Sequence, residues 1–194
     1  MSEEIAEEEA EEPFELDPEV AARRAAALSH VRTFGDPVLK ARALPVERFD
    51  EALRAEVGQM AALMRDALGV GLAATQLGVM HRLLVYRVGQ DAPLAVLANP
   101  RLEWSSEDRE ELEEGCLSLP GVHVGVERPV HVRVHAQDER GEAVRIEASG
   151  LEARVIQHEM DHLDGVLMID RTTRDQRKEA MRALREAAER AHAA

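Results

Sequence analysis

The chain has 194 residues and a mass of 21.5 kDa, 45% of them hydrophobic, which is enough for one domain with its own core. Aromatic residues make up only 3%, which excludes the stacking platforms that hold single-stranded nucleic acid, and the formal net charge is −14. That charge is mostly local: ten acids and no Lys or Arg fall in residues 1–20, so the rest of the chain sets 24 bases against 28 acids.

Residues 1–20 repel one another and bury nothing, and are expected to form a disordered acidic extension ahead of a single catalytic domain over 21–194. The N-terminus lacks the basic start and apolar stretch of a secretory peptide and the Arg-rich, acid-poor character of a transit peptide. No run approaches the roughly 18 apolar residues of a membrane span. A cytoplasmic location with no membrane partner is therefore expected. The single cysteine, Cys116, excludes an internal disulfide.

Over residues 47–68 Leu53, Val57, Met60, Met64 and Leu68 recur at a helical period, with Arg54, Glu56, Arg65 and Asp66 turned outward. Gly69 and Gly71 are expected to stop this helix. Strand-like runs follow at 83–86, 94–97, 122–124 and 130–135, and the polar residues 138–141 join the last of these to 143–146 as a hairpin. No long crossover separates these runs, so the pairing should be antiparallel. Residues 150–163 form a helix with few solvent-facing positions, which belongs against sheets. A charged terminal helix over 173–192 carries only a thin stripe of Ala180, Met181, Leu184 and Ala188. The fold class is α+β: antiparallel sheets packed around the apolar 150–163 helix, with one helix toward each end of the chain.

That apolar helix carries His158, Glu159, Met160, Asp161 and His162, an H-E-x-x-H in which two imidazoles four residues apart share a face and can bind one metal ion. Glu159 is then beside the metal, where a carboxylate can take a proton from water. A catalytic site of this kind adds a third protein ligand. Cys116, in Glu114-Gly115-Cys116-Leu117-Ser118, sits where a strand end can present a side chain to a buried helix. Taken singly, each signal has a bland counterpart: H-E-x-x-H arises by chance on solvated helices, a lone Cys packs as a small hydrophobe, and paired glycines cap helices. A thermolysin-like protease also uses H-E-x-x-H, but needs a downstream Glu ligand and leaves Cys116 unexplained.

Three blocks in this order, Gly69-Val70-Gly71-Leu72-Ala73-Ala74-Thr75-Gln76, Glu114-Gly115-Cys116-Leu117-Ser118 and His158-Glu159-Met160-Asp161-His162-Leu163-Asp164-Gly165, resemble the peptide deformylase family over roughly residues 30–181. Asn99-Pro100, Arg128-Pro129 and Gly150-Leu151 add to the likeness. The resemblance implies hydrolysis of the formamide of N-formylmethionine at the start of nascent polypeptides, releasing formate. It implies Cys116, His158 and His162 as ligands of one divalent metal ion, Fe(II) in the cell, with zinc, nickel or cobalt fitting the same donors. Glu159 is then base and later acid, and the Gln76 amide and Leu117 N–H are oxyanion donors. Gly71 exposes backbone to the substrate, while Val70, Leu151 and Val155, with His158, form the slot for the methionine side chain. Glu114, Arg128 and Asp161 support the ligands, Glu114 with Arg128 as an ion pair. Arg154 neighbours the slot with its head reaching water; His123, His131, His135 and His192 are read as surface residues rather than ligands, His123 alone, after the Cys116 loop, being placed to touch the peptide at the cleft rim. The Arg-rich terminal helix is a candidate ribosome contact, without sequence-specific nucleic-acid binding. A non-catalytic ribosome- or peptide-binding member is the remaining alternative, against which intact Glu159 and Gln76 argue.

Overall fold

Acidic caps decide where the helices begin. In the computed structural model, which describes residues 16–193, α1 spans Pro18–Leu28: the Asp17 carboxylate accepts the Glu19 N–H at 2.8 Å, and Pro18 supplies the preset first position. Pro18, Glu19 and Val20 are thus helical, where a disordered extension is expected through residue 20; residues 1–15 of that extension lie outside the described residues. Asp50 likewise starts α2 (Glu51–Asp66) by accepting the Leu53 N–H at 3.2 Å, which places its first turn four residues later than the periodicity suggests. At the other end Leu68, not a glycine, takes the left-handed conformation (φ 61°), and Gly69 donates its N–H to the Met64 carbonyl at 2.9 Å.

Five strands, β1 (Gly71–Ala73), β2 (Leu83–Tyr86), β3 (Ala95–Ser105), β6 (His131–Gln137) and β7 (Ala143–Ser149), form one antiparallel sheet in the order β1-β2-β3-β6-β7. Between β3 and β6 the chain leaves this sheet to form a separate hairpin, β4 (Arg109–Cys116) with β5 (Leu119–Pro129). Helix α3 spans Gly150–Leu163, as its apolar run predicts, and α4 spans Arg174–Ala193.

Strand β2 is buried along its whole length because both faces of the sheet are covered. Leu84 and Tyr86 face Ala153, Ile156, Met160 and Leu163 of α3, while Leu83 and Val85 face Leu53, Val57, Met60 and Met64 of α2. A third cluster joins Leu119, Val122, Val124 and Val126 of β5 to Leu39, Leu167, Met168, Ile169 and Ala180. Helix α3 touches β1, β2, β6 and β7 and, beyond them, β5 of the hairpin. The mixed helical and antiparallel architecture expected from the sequence is the one observed.

Asp170 fastens the segment before α4: its carboxylate accepts from Lys40 Nζ, from the Leu167 N–H at 2.9 Å and from Arg177 at 2.9 Å. Burial pushes this carboxyl up, but the Lys40 and Leu167 hydrogen bonds outweigh it and hold the value below 3.8. A depressed folded value stabilises above the unfolded value, and that stability is lost as pH falls through the folded one. Asp170→Asn is expected to lower Tm at pH 7 by about 2–6 °C, from roughly 1–2 kcal/mol of charged hydrogen bonding. In thermal melts across pH the gap between variant and parent should begin to narrow below about pH 4 and close only below the depressed folded value; a gap independent of pH would contradict this.

Candidate active site

Each candidate side chain is placed by a short-range feature of its own element. The spacing in α3 puts His158 and His162 on one face, with their rings 5.0 Å apart edge to face. Cys116 is the last residue of β4, before a two-residue turn of Leu117 and Ser118 that leads into β5. The turn brings the thiol to α3: Cys116 Sγ lies 3.2 Å from His162 Nε2, and the donor atoms of Cys116, His158 and His162 all fall within 4.8 Å of one another. One sulfur and two imidazole nitrogens at this spacing form a donor set suited to a borderline divalent ion. Burial raises the Cys116 thiol, but the neighbouring His162 and His158 imidazoles outweigh it and hold the thiol well below its ordinary value, toward the thiolate that ligation uses.

Glu159 is buried, 4% exposed, and its Oε2 has no hydrogen-bond partner among the described residues. Burial lifts its carboxyl above the ordinary value. Gly71 makes room for it: a Cβ at Gly71 would stand 2.5 Å from Glu159 Oε1. Gln76 is buried in the turn after β1. The Ala73 N–H donates to its Oε1 at 2.9 Å, which leaves Nε2 turned toward Ser118 Oγ at 3.2 Å and Cys116 Sγ at 3.7 Å.

Beneath the cluster lies a buried charge network. Glu114 Oε1 accepts from Arg128 at 2.6 Å and Arg154 at 2.8 Å, and Oε2 accepts from Arg128 at 2.9 Å and meets His158 Nδ1 at 3.0 Å. Burial raises the Glu114 carboxyl, yet the hydrogen bonds from His158 and Arg128 hold it down to about 2. Asp161 receives Arg128 at 2.9 Å and Arg171 at 2.6 Å. The sequence pairing of Glu114 with Arg128 is present and buried, not a surface ion pair.

Arg154 lines the cleft as expected, but its head does not reach water. The residue is 7% exposed, and its guanidinium donates to Glu114, to the Val126 carbonyl at 2.8 Å and to the Glu110 carbonyl at 2.7 Å, locking α3 to both hairpin strands. An arginine in so apolar a helix was the available signal, since a buried cation must find acceptors. Arg171 and Ser118 were also missed; both depend on tertiary neighbours that no local pattern announces.

A cleft of about 520 Å³ opens over the cluster. Val70, Gly71, Gln76, Leu117, His123, Leu151 and Val155 all line it beside Cys116, His158 and Glu159. Val155 is buried, whereas Val70 and Leu151 stay 48% and 56% exposed at its rim. Asp161 and Arg128, expected as supports of the ligands, do not line the cleft. His131 and His135 lie elsewhere, against Ser149 and Glu103.

Comparison with known proteins identifies the family. The family model described as polypeptide deformylase matches residues 28–178. The peptide deformylase of Acidothermus cellulolyticus is 49% identical over 161 residues, 83% of this chain and 88% of the relative; that of Thermotoga neapolitana is 51% identical over 141 residues, 73% and 85%. Among solved structures, a peptide deformylase from Synechococcus elongatus in complex with actinonin aligns with TM-score 0.76 at 45% identity, covering 79% of this chain and 85% of that one. The Legionella pneumophila enzyme aligns with TM-score 0.78 at 40% identity, covering 84% and 96%. The chain belongs to the polypeptide deformylase family.

Proposed function

We propose that the chain hydrolyses the formamide of N-formylmethionine at the start of nascent polypeptides, releasing formate, with Cys116, His158 and His162 as ligands of one divalent ion and Glu159 as the proton carrier. The observation that carries this is the convergence, in one cleft, of a sulfur and two imidazole donors with a buried carboxylate that has a free oxygen. A divalent ion in that set supplies a Lewis acid and brings the acidity of water toward neutral pH. Glu159 takes the proton of the attacking water and returns it to the departing amine, which cannot leave as an anion. Its raised carboxyl suits both halves of that exchange.

Gln76 Nε2, its orientation set by Ala73, and the Leu117 N–H donate to the formyl oxygen as it gains charge. Glu114 fixes the His158 ring through Nδ1, leaving Nε2 for ligation. Val70, Leu151 and Val155 receive the methionine side chain, and Gly71 leaves backbone free for the peptide. We assign Fe(II) as the ion in the cell, with zinc, nickel or cobalt as substitutes, and a cytoplasmic setting. No helix among the described residues is long and apolar enough to cross a membrane. Helix α4, with Arg174, Arg177, Lys178, Arg182 and Arg185, is the proposed ribosome contact.

The test is formate release from formyl-Met-Ala-Ser by anaerobically purified protein, with metal counted per chain for the parent and for Cys116→Ser. The parent should turn over and hold one ion, and the variant should lose both; full metal and activity in Cys116→Ser would favour the protease reading. Metal-loaded parent without turnover would favour a binding protein, and full rates with zinc alone would remove the iron assignment. Gly71→Ala should push the Glu159 carboxylate aside and lower kcat by about 10²-fold, the cost of misplacing a catalytic group by an ångström. Its melting temperature should move far less than its kcat, because a flexible carboxylate yields before the backbone does.

A further inference from the structure

The cleft has one wall that the family match does not supply. Matching begins at residue 28, so all of α1 except its last residue precedes it. Yet Arg24 and Leu28 of α1 line the same cleft as Cys116, His158 and Glu159, beside Leu68, Gly69, Leu117 and Pro120. Helix α1 is seated there by α2: Ala27 is buried, while Val20, Arg24 and Leu28, at helical spacing from it, are half-buried along the inward stripe. Arg24 has no carboxylate within ion-pair distance among the described residues, in a chain where acids outnumber bases 38 to 24. The other arginine that lines this cleft, Arg154, is paired with Glu114 at 2.8 Å. Among the cleft-lining arginines, Arg24 of α1 is therefore the one without a carboxylate partner among the described residues.

We propose that α1 is a substrate-binding wall of this enzyme and that Arg24 selects formylated peptides with acidic residues beyond the second position. This rests on the deformylase reading above. The first residue fills the slot at Val70, Leu151 and Val155, so the chain that follows must leave along the cleft. Leu28, Leu68 and Pro120 give that exit an apolar lining, and Arg24 gives it a cation. A half-buried guanidinium near solvent discriminates modestly, by about two- to fivefold for one ion pair, and less as salt screens it.

The test uses the full-length protein and compares kcat/KM for formyl-Met-Ala-Asp-Asp and formyl-Met-Ala-Lys-Lys, in the parent, Arg24→Gln and Arg24→Glu. The parent should prefer the acidic peptide, Arg24→Gln should level the ratio, and Arg24→Glu should invert it, a total swing of about tenfold that shrinks in 0.5 M NaCl. Because the readout is a ratio within each protein, a general loss of activity in a variant does not disturb it, and the two substitutions guard against misfolding of either. A parent that deformylates both peptides equally, or a ratio that neither substitution moves, overturns the role of Arg24 and leaves deformylation standing. A parent that releases formate from neither peptide overturns the deformylase reading itself.

Discussion

Glu159→Gln is expected to lower formate release by up to about 10⁴-fold while the protein stays folded and metal-loaded, the upper range for removing a general acid-base group. Glutamine keeps the shape of the side chain in a site with no spare room: Glu159 is 4% exposed and abuts Gly71. What it removes is the capacity to accept a proton from water and hand it on. The free Oε2 supports the proposed role, because a structural carboxylate so deeply buried would be fully bonded. Stability should hardly fall and could rise, since burial already disfavours the charged form of this group. Single-turnover formate release, metal content and a thermal melt of the same preparation separate these effects. Turnover equal to the parent would remove Glu159 from the mechanism.

Glu114→Ala is expected to be the most destabilising single change at the site, costing about 3–5 kcal/mol and lowering Tm on the order of 10 °C. Three cationic or ring partners, Arg128, Arg154 and His158, meet on this one carboxylate, and both arginines are buried. Alanine leaves them desolvated with fewer acceptors, and an uncompensated buried charge costs far more than the original pair contributed. The consequence extends to chemistry: without its acceptor His158 loses its fixed ring orientation, and metal affinity should fall about 10–100-fold. Metal competition against a chelator measures the second effect, and circular dichroism melts the first. A variant with parental Tm would mean that water replaces the carboxylate fully.

Much of the site is legible in the sequence because its logic is local. His158, Glu159 and His162 are related by the turn of one helix, and α3 has the bounds its apolar run predicts. Cys116, Gln76 and Leu117 were readable only in combination, through three blocks whose order and content resemble one family. What escaped was tertiary. Strand β4 exposes every side chain from Arg109 to Glu113 and buries only Glu114, so it has no alternating pattern to detect. Helix α1 was hidden by the acids before it, although Asp17 followed by Pro18 is a helix-start signal that outweighs them. Arg154 read as a half-exposed side chain because its three acceptors belong to a hairpin more than 25 residues away.

The excursion of β4 and β5 out of the main sheet has a consequence for how the protein is made. The thiol and its nearer imidazole are 46 residues apart in the chain, and the Glu114 contact to His158 spans 44. Contacts this distant form late, after the loop-closure entropy between them has been met. A ribosome that has released residues only up to β5 has delivered Cys116, Gln76 and Leu117 but neither histidine of the pair. The proposed donor set is complete only when α3 has emerged and docked, so a copy ending before residue 158 carries one of its three donors, Cys116.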